Sequence, residues 1–188
     1  AATVASYTIA GFVHGVLNSD NINISGESFD YGPWRFTPLW NPAFVAAYFD
    51  EGGRYAFGQQ AAAVHWNCGQ LAVALRLLAP SEPLIAALDG FGDAHGEAIA
   101  DRFCWRLGIT RANAEEDRAL VIAAERYMRA TKMPIDDFYV QWGNGHIPAP
   151  PAEEHQALHA ALAAALGGRR AIRADWWLHD TPQSMHIE

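Results

Sequence analysis

His14-Gly15-Val16-Leu17-Asn18-Ser19-Asp20-Asn21, followed nine residues after Asn21 by Asp30-Tyr31-Gly32-Pro33, is the stretch on which the reading of this chain turns. An apolar run, Ala5 to Val16, precedes it and reads as a buried helix. Asn18 to Asn21 is then a polar break. Asn21–Ile24 and Glu27–Asp30 are short alternating runs around Ser25-Gly26, which predicts a tight hairpin. A hairpin brings its two ends together, so Asn21 and Asp30 are expected to face one point in space. An amide oxygen and a carboxylate are hard ligands suited to Mg²⁺, which takes few protein ligands and completes its shell with phosphates and water. Asp20 is adjacent and suited to orient or deprotonate a hydroxyl. His14 is expected to hold the loop by hydrogen bonding.

The 188 residues are 51% hydrophobic and 18% charged, which fits one packed domain with a sizeable core. A formal net charge of −8 argues against broad electrostatic binding to nucleic acid. Lys132 is the chain's one lysine, so a lysine placed on a phosphate must be this one or come from other residues. Cys68 and Cys104 have no zinc-ligand spacing and read as buried thiols, which suits a cytoplasmic protein. No run of 18 apolar residues is present, so no membrane partner is expected. The first ten residues lack a signal-peptide pattern and read as a helix already under way.

Around and beyond the motif, Pro33, Pro38 and Pro42 alternate with Trp34, Phe36 and Trp40, which excludes a helix or central strand there. A helix is expected from about Gln59 to Pro80, with Ala63, Trp66, Leu71, Leu75 and Leu78 inward. Others are expected over about 93–107, stopped by Gly108, and over about 113–131, with Leu120, Ile122, Ala123, Tyr127 and Ala130 inward. A further helix is expected over about 151–166, ended by Gly167-Gly168. His155 and His159 share a face of that last helix and read as solvated. Gly90-Phe91-Gly92 lacks the spacing of a dinucleotide-binding loop. Asn21–Gly32 imitates a calcium loop but has Gly32 where the bidentate acid belongs. Trp176 and Trp177 suggest a packed tail or contact surface. The fold class expected is mainly α (α+β) with one small hairpin.

An acid and a metal-binding Asn, joined by a hairpin to a metal-binding Asp, follow the logic of kinase catalytic loops. Small-molecule kinases carry H-G-D-x-x-x-x-N. Here His14, Gly15 and Asn21 fit that pattern, Val16 replaces the usual base, and Asp20 is the nearby acid. With this displacement the chain resembles the selenoprotein O family, whose members carry H-G-V-M-N-T-D-N and then D-Y-G-P. Gly53-Arg54-Tyr55-Ala56-Phe57 resembles the family's G-R-Y-x-F element. Gln59-Gln60, His65-Trp66-Asn67 and Leu71-Ala72 resemble its following helix. The likeness is strong from about Gly11 to Ala79, weaker from Leu107 to Met133, and not visible after about Gly145.

The resemblance implies a protein-kinase-like fold, with residues 1–145 forming a C-terminal lobe and 146–188 a helix and tail. It implies ATP bound in an inverted pose, so that AMP passes to Ser, Thr or Tyr hydroxyls of protein substrates and pyrophosphate is released. Asp20 would be the catalytic base, Asn21 and Asp30 the ligands of Mg²⁺ (or Mn²⁺), with Asp30 also facing the nucleotide. The family's nucleotide-clamping lysine, its αC-like glutamate and its phosphate-contacting arginines lie upstream of the catalytic loop. None of those positions is present, so the isolated chain is expected to be inactive. Some members pair a cysteine after D-Y-G-P with one at the extreme C-terminus. Here the sequence ends Met185-His186-Ile187-Glu188, so that link is not expected. Conventional γ-phosphoryl transfer and an inactive binding module remain the alternative readings.

Overall fold

The computed structural model describes residues 1–172, and Trp176 and Trp177 lie outside that range. The described residues are mainly helical, with one two-stranded antiparallel sheet. They form two compact units. The first comprises Ala1–Thr37 and Asn41–Ala98, and the second Pro38–Trp40 with residues 99–172. No described helix is long and apolar enough to cross a membrane.

The first unit begins with α1, Ala2–Ala10, whose Val4, Ala5, Tyr7 and Ile9 are buried. The helix stops six residues before the expected end. Gly11 adopts a left-handed φ of 72°, and its N–H closes on Thr8 O at 3.2 Å. Glycine enters that region without the Cβ penalty, so it ends the helix inside an unbroken apolar run. Phe12–Val13 is instead a strand, β1, paired with β2, Arg35–Phe36, in the proline-rich segment. Asn21–Asp30 forms a narrow loop rather than two strands. Ile22 and Ser28 make a single antiparallel bridge, and Gly26 N–H turns back to Asn23 O at 2.9 Å.

Helix α2, Gln60–Leu75, lies where the sequence places it, but on a different face. Gln60, Val64 and Asn67 are buried, while Trp66, Leu71 and Leu78 are exposed. The polar pair turns inward because loop backbone groups there need partners. Helix α3, Ser81–Asp89, is not among the expected helices, and none of its residues is buried. The core of this unit gathers Val4, Tyr7, Phe12, Leu17, Tyr55 and Val64.

Helix α4, Phe91–Leu107, begins in the first unit and ends in the second, stopped by Gly108 at φ 70°. Helix α5, Ala114–Thr131, is capped by Asn113, whose side chain accepts from Glu116 N–H at 3.0 Å and donates to Glu116 Oε1 at 2.7 Å. Asp117, Leu120, Ala124, Tyr127 and Met128 face inward on α5; Ile122 and Ala130 do not. Two more helices follow, α6 (Ile135–Trp142) and α7 (Gln156–Leu166). His159 is buried rather than solvated. Its Nε2 meets Pro148 O at 2.9 Å, and its ring lies 5.0 Å from that of Trp142. Of the two thiols, Cys104 is buried and Cys68 half-buried. Burial, helped by the Asp117 charge, pushes the Cys104 thiol up to about 11.

Asp117 is the buried acid of the second unit. It accepts from Arg111 Nε at 2.8 Å and from Ala112 N–H at 3.0 Å, and it pairs with Arg169. Burial alone would raise its pKa, but the bonds from Arg169, Ala112 and Arg111 outweigh it and hold the carboxyl below its ordinary value. The stability from this ionised state is therefore complete above about pH 4 and fades as pH falls further. Asp117→Ala leaves two arginines without their shared acceptor and is expected to lower unfolding free energy by about 3–5 kcal/mol at pH 7. Denaturation of wild type and variant from pH 7 to pH 3 checks this: the gap should narrow below about pH 4, and a constant gap would count against it.

Candidate active site

Between β1 and the short 3₁₀ turn Ser19–Asn21, the chain runs through the first unit without regular structure. Its backbone groups are matched by side chains instead. Gln60, fully buried, donates from Nε2 to Phe12 O at 2.9 Å, and its Oε1 accepts from His14 N–H at 3.0 Å. Asn67 donates from Nδ2 to Leu17 O at 2.8 Å. The Tyr55 hydroxyl donates to Asn18 Oδ1. Gly15 has φ +88°, and a Cβ there would come within 2.9 Å of Pro33 Cγ, so the loop is drawn tightly against the Asp-Tyr-Gly-Pro segment.

His14 is buried and ties the two halves of the motif together. Val16 N–H donates to His14 Nδ1 at 3.3 Å, so that nitrogen carries no proton. Nε2 therefore holds it and donates to Phe29 O at 2.9 Å. Burial keeps the imidazole pKa below its ordinary value, against weaker pulls from the Phe29 carbonyl and the Asp30 charge. A neutral ring is what the two bonds require. His14 thus holds the loop, as the sequence suggests.

Asn21 is 8% exposed, and its Nδ2 donates to Val16 O at 3.0 Å. A carbonyl oxygen can only accept, so the amide's NH₂ end must point there and Oδ1 is left as a free oxygen donor. Asn21 O also accepts from Phe29 N–H at 3.1 Å. Phe29 is thereby pinned from both sides, by Asn21 and by His14, and Asp30 follows it directly. Asp30 is exposed and adopts a left-handed φ of 60°, a conformation uncommon outside glycine. Asp20, exposed, precedes Asn21 in the same turn. The loop therefore brings the backbone of Asn21 to within one residue of Asp30. Tyr31 and Ser28 brace its far side: the Tyr31 hydroxyl donates to Ser28 O at 2.7 Å, and Ser28 also bonds Tyr7. Burial raises the Tyr7 phenol well above its ordinary pKa.

Among the described residues no group of three His, Cys, Asp or Glu side chains can hold a metal. An amide oxygen with one carboxylate is still the donor set of an ion that takes its other ligands from phosphates and water. The supporting residues Tyr55, Gln60 and Asn67 carry no sequence role in metal binding or catalysis. Gln60 and Asn67 are polar positions on the inner face of α2 and Tyr55 lies in the loop before it; in the sequence all three stand out only as parts of the stretches that resemble the family.

The sequence matches the family described as "Protein adenylyltransferase SelO" over residues 1–176. The site thus lies in a nucleotidyltransferase family. "Protein nucleotidyltransferase YdiU" of Synechocystis is 40% identical over 146 residues, covering 75% of this chain and 31% of that protein. The same-named protein of Hahella chejuensis is 40% identical over 139 residues, covering 68% and 28%. That of Shewanella putrefaciens is 39% identical over 162 residues, covering 84% and 33%. The chain belongs to the SelO family, and it spans about a third of the length of these curated relatives.

Gln60→Leu would leave Phe12 O and His14 N–H buried without partners, so it is expected to destabilise the protein by about 2–3 kcal/mol. Gln59→Leu, at the exposed neighbour, should stay within about 0.5 kcal/mol of wild type. Chemical denaturation of both variants decides; equal effects would contradict the assignment of Gln60 as the loop's clamp.

Proposed function

We propose that this chain is the kinase-like C-terminal lobe of a protein adenylyltransferase, with residues 1–145 forming that lobe. The whole enzyme would move AMP from ATP to Ser, Thr or Tyr hydroxyls of proteins. Membership of the SelO family and the relatives' name, protein nucleotidyltransferase, support the reaction class. The observation that carries the reading is the arrangement of Asn21. Its NH₂ is fixed on Val16 O, its Oδ1 is free, and its backbone is bonded to the residue before Asp30.

In this reading Asn21 Oδ1 and the Asp30 carboxylate hold Mg²⁺ (or Mn²⁺). The chemistry a bound ion supplies is neutralisation of charge on the ATP phosphates. Asp20, exposed in the turn, orients the acceptor hydroxyl and takes its proton as the oxygen bonds to the α-phosphorus. The bond from the α-phosphorus to the bridging oxygen breaks, and pyrophosphate leaves. His14, neutral, keeps the turn and Asp30 in register without entering the chemistry.

The lysine that clamps the nucleotide in kinase-like sites is proposed to come from another part of the longer protein. Lys132, the chain's own, caps the C-terminal end of α5 in the second unit. The isolated chain is accordingly proposed to transfer nothing.

The intact protein, given ATP labelled separately at the α and γ positions, should place α-label on protein and release pyrophosphate. Label from the γ position alone, with ADP formed, would instead establish conventional phosphoryl transfer. Asp30→Ala should abolish transfer. Asp20→Ala should leave a trace, because general-base help is worth about 10²–10⁴-fold while charge stabilisation is the larger effect.

A further inference from the structure

The Gly53-Arg54-Tyr55 element borders a cavity of about 370 Å³ in the first unit, closed on its other side by the start of α2. The cavity reaches Leu17, which leads into the catalytic turn, and Tyr55 ties the cavity wall to that turn through Asn18. Asn21 and Asp30 do not line it, so it is separate from the proposed metal pair.

Its charge is unusual for this protein. The chain has 21 acidic residues against 13 basic ones, yet among the described residues no acid lines the cavity, and Arg54 is the one charged side chain there. The Arg54 guanidinium lies over two aromatic faces, 5.5 Å from the Tyr55 ring centre and 5.3 Å from that of Trp66. It makes no ion pair among the described residues. Asp50, an acid of the same loop, is turned to the backbone: its Oδ1 and Oδ2 accept from the N–H groups of Arg54 and Tyr55, each at 2.8 Å. The stacking orients a planar donor fork and leaves its hydrogen-bonding edge without an acceptor among the described residues. A single cation suits a single carboxylate. A di- or triphosphate carries several charges and would call for a second cation, which none of the described lining residues supplies.

We propose that this cavity is an acceptor-recognition subsite, in which Arg54 binds an aspartate or glutamate lying a few residues from the hydroxyl that receives AMP. The proposal rests on the protein-directed transfer argued above. Tyr55 and Asn67 hold Asn18 and Leu17, so an acceptor side chain seated in the cavity is registered against the turn that carries Asp20.

The test uses the intact protein and a set of fluorescent peptides that share one acceptor hydroxyl and carry Glu, Gln or Lys at each flanking position in turn. Two quantities are measured: peptide affinity by anisotropy with Mg²⁺ and an ATP analogue that cannot release pyrophosphate, and initial rates with α-labelled ATP. Wild type should favour Glu over Gln at one position by roughly fivefold, as fits a partly exposed ion pair. Arg54→Gln should erase that preference, and Arg54→Glu should invert it towards Lys, while affinity for Mg-ATP stays within about twofold. Equal affinity for all peptides in wild type would overturn the proposal, as would a uniform loss across all peptides in the variants. A loss of Mg-ATP affinity in place of peptide selectivity would assign Arg54 to the nucleotide. If the rate assay shows no α-label on any acceptor, the reaction proposed above fails, and the anisotropy measurement still decides the subsite.

Discussion

The constraint on which the first unit depends is a stretch of extended backbone inside it. From Phe12 to Asn18 the chain passes through or beside the core, with neither a helix nor a full sheet to satisfy its polar groups. A buried peptide group without a partner is costly, so each must find one. Gln60 behaves as a piece of neighbouring strand, giving Phe12 O a donor and His14 N–H an acceptor on the side that β2 does not cover. Asn67 takes Leu17 O, Asn21 takes Val16 O, and Tyr55 fixes the Asn18 side chain. The turn that carries Asp20 and Asn21 therefore has its geometry set by side chains from a helix and a loop some 40 residues later, with separations of 46, 48 and 50 residues for the Gln60 and Asn67 contacts.

That arrangement explains why a polar loop can be held firmly without being regular. His14 adds the cross-link to the segment that ends at Asp30, and it does so only as the neutral Nε2–H tautomer. The left-handed Asp30 is then kept in an uncommon conformation by Phe29, which is bonded on both its N–H and its C=O. Support from surrounding contacts is what allows strained backbone to persist at a functional site.

The placement of Asp20, Asn21 and Asp30 in one short loop is legible in the sequence because it is local, and the turn at Gly26 is a matter of nearby residues. Glycine stops at Gly108 and Gly167 were equally readable. Gly11 carried the same signal, but it sits inside an apolar run, and the periodicity of the run concealed the strand that follows. The apolar stripe of α2 points to the wrong core side, because the buried positions are Gln60, Val64 and Asn67. What turned those amides inward is a need for hydrogen bonds created far away in the chain, and no periodicity records that. Helix α6 was readable in principle, since Ile135, Phe138, Tyr139 and Trp142 recur at helical spacing and all four are buried. His159 was misread because a histidine at i+4 from another looks like a surface pair; its burial depends on Tyr127 and Trp142, which only the tertiary fold brings to it.

The proposed sharing of one divalent ion by Asn21 Oδ1 and the Asp30 carboxylate has a direct physical consequence. It is tested most directly by a crystal structure of the intact protein with Mn²⁺ and an ATP analogue, collected at a wavelength where manganese scatters anomalously. An anomalous peak is expected within about 2.1 Å of both oxygens, with phosphate oxygens completing its shell. A peak that contacts neither residue, or an Asn21 amide turned so that its oxygen faces Val16, would contradict it.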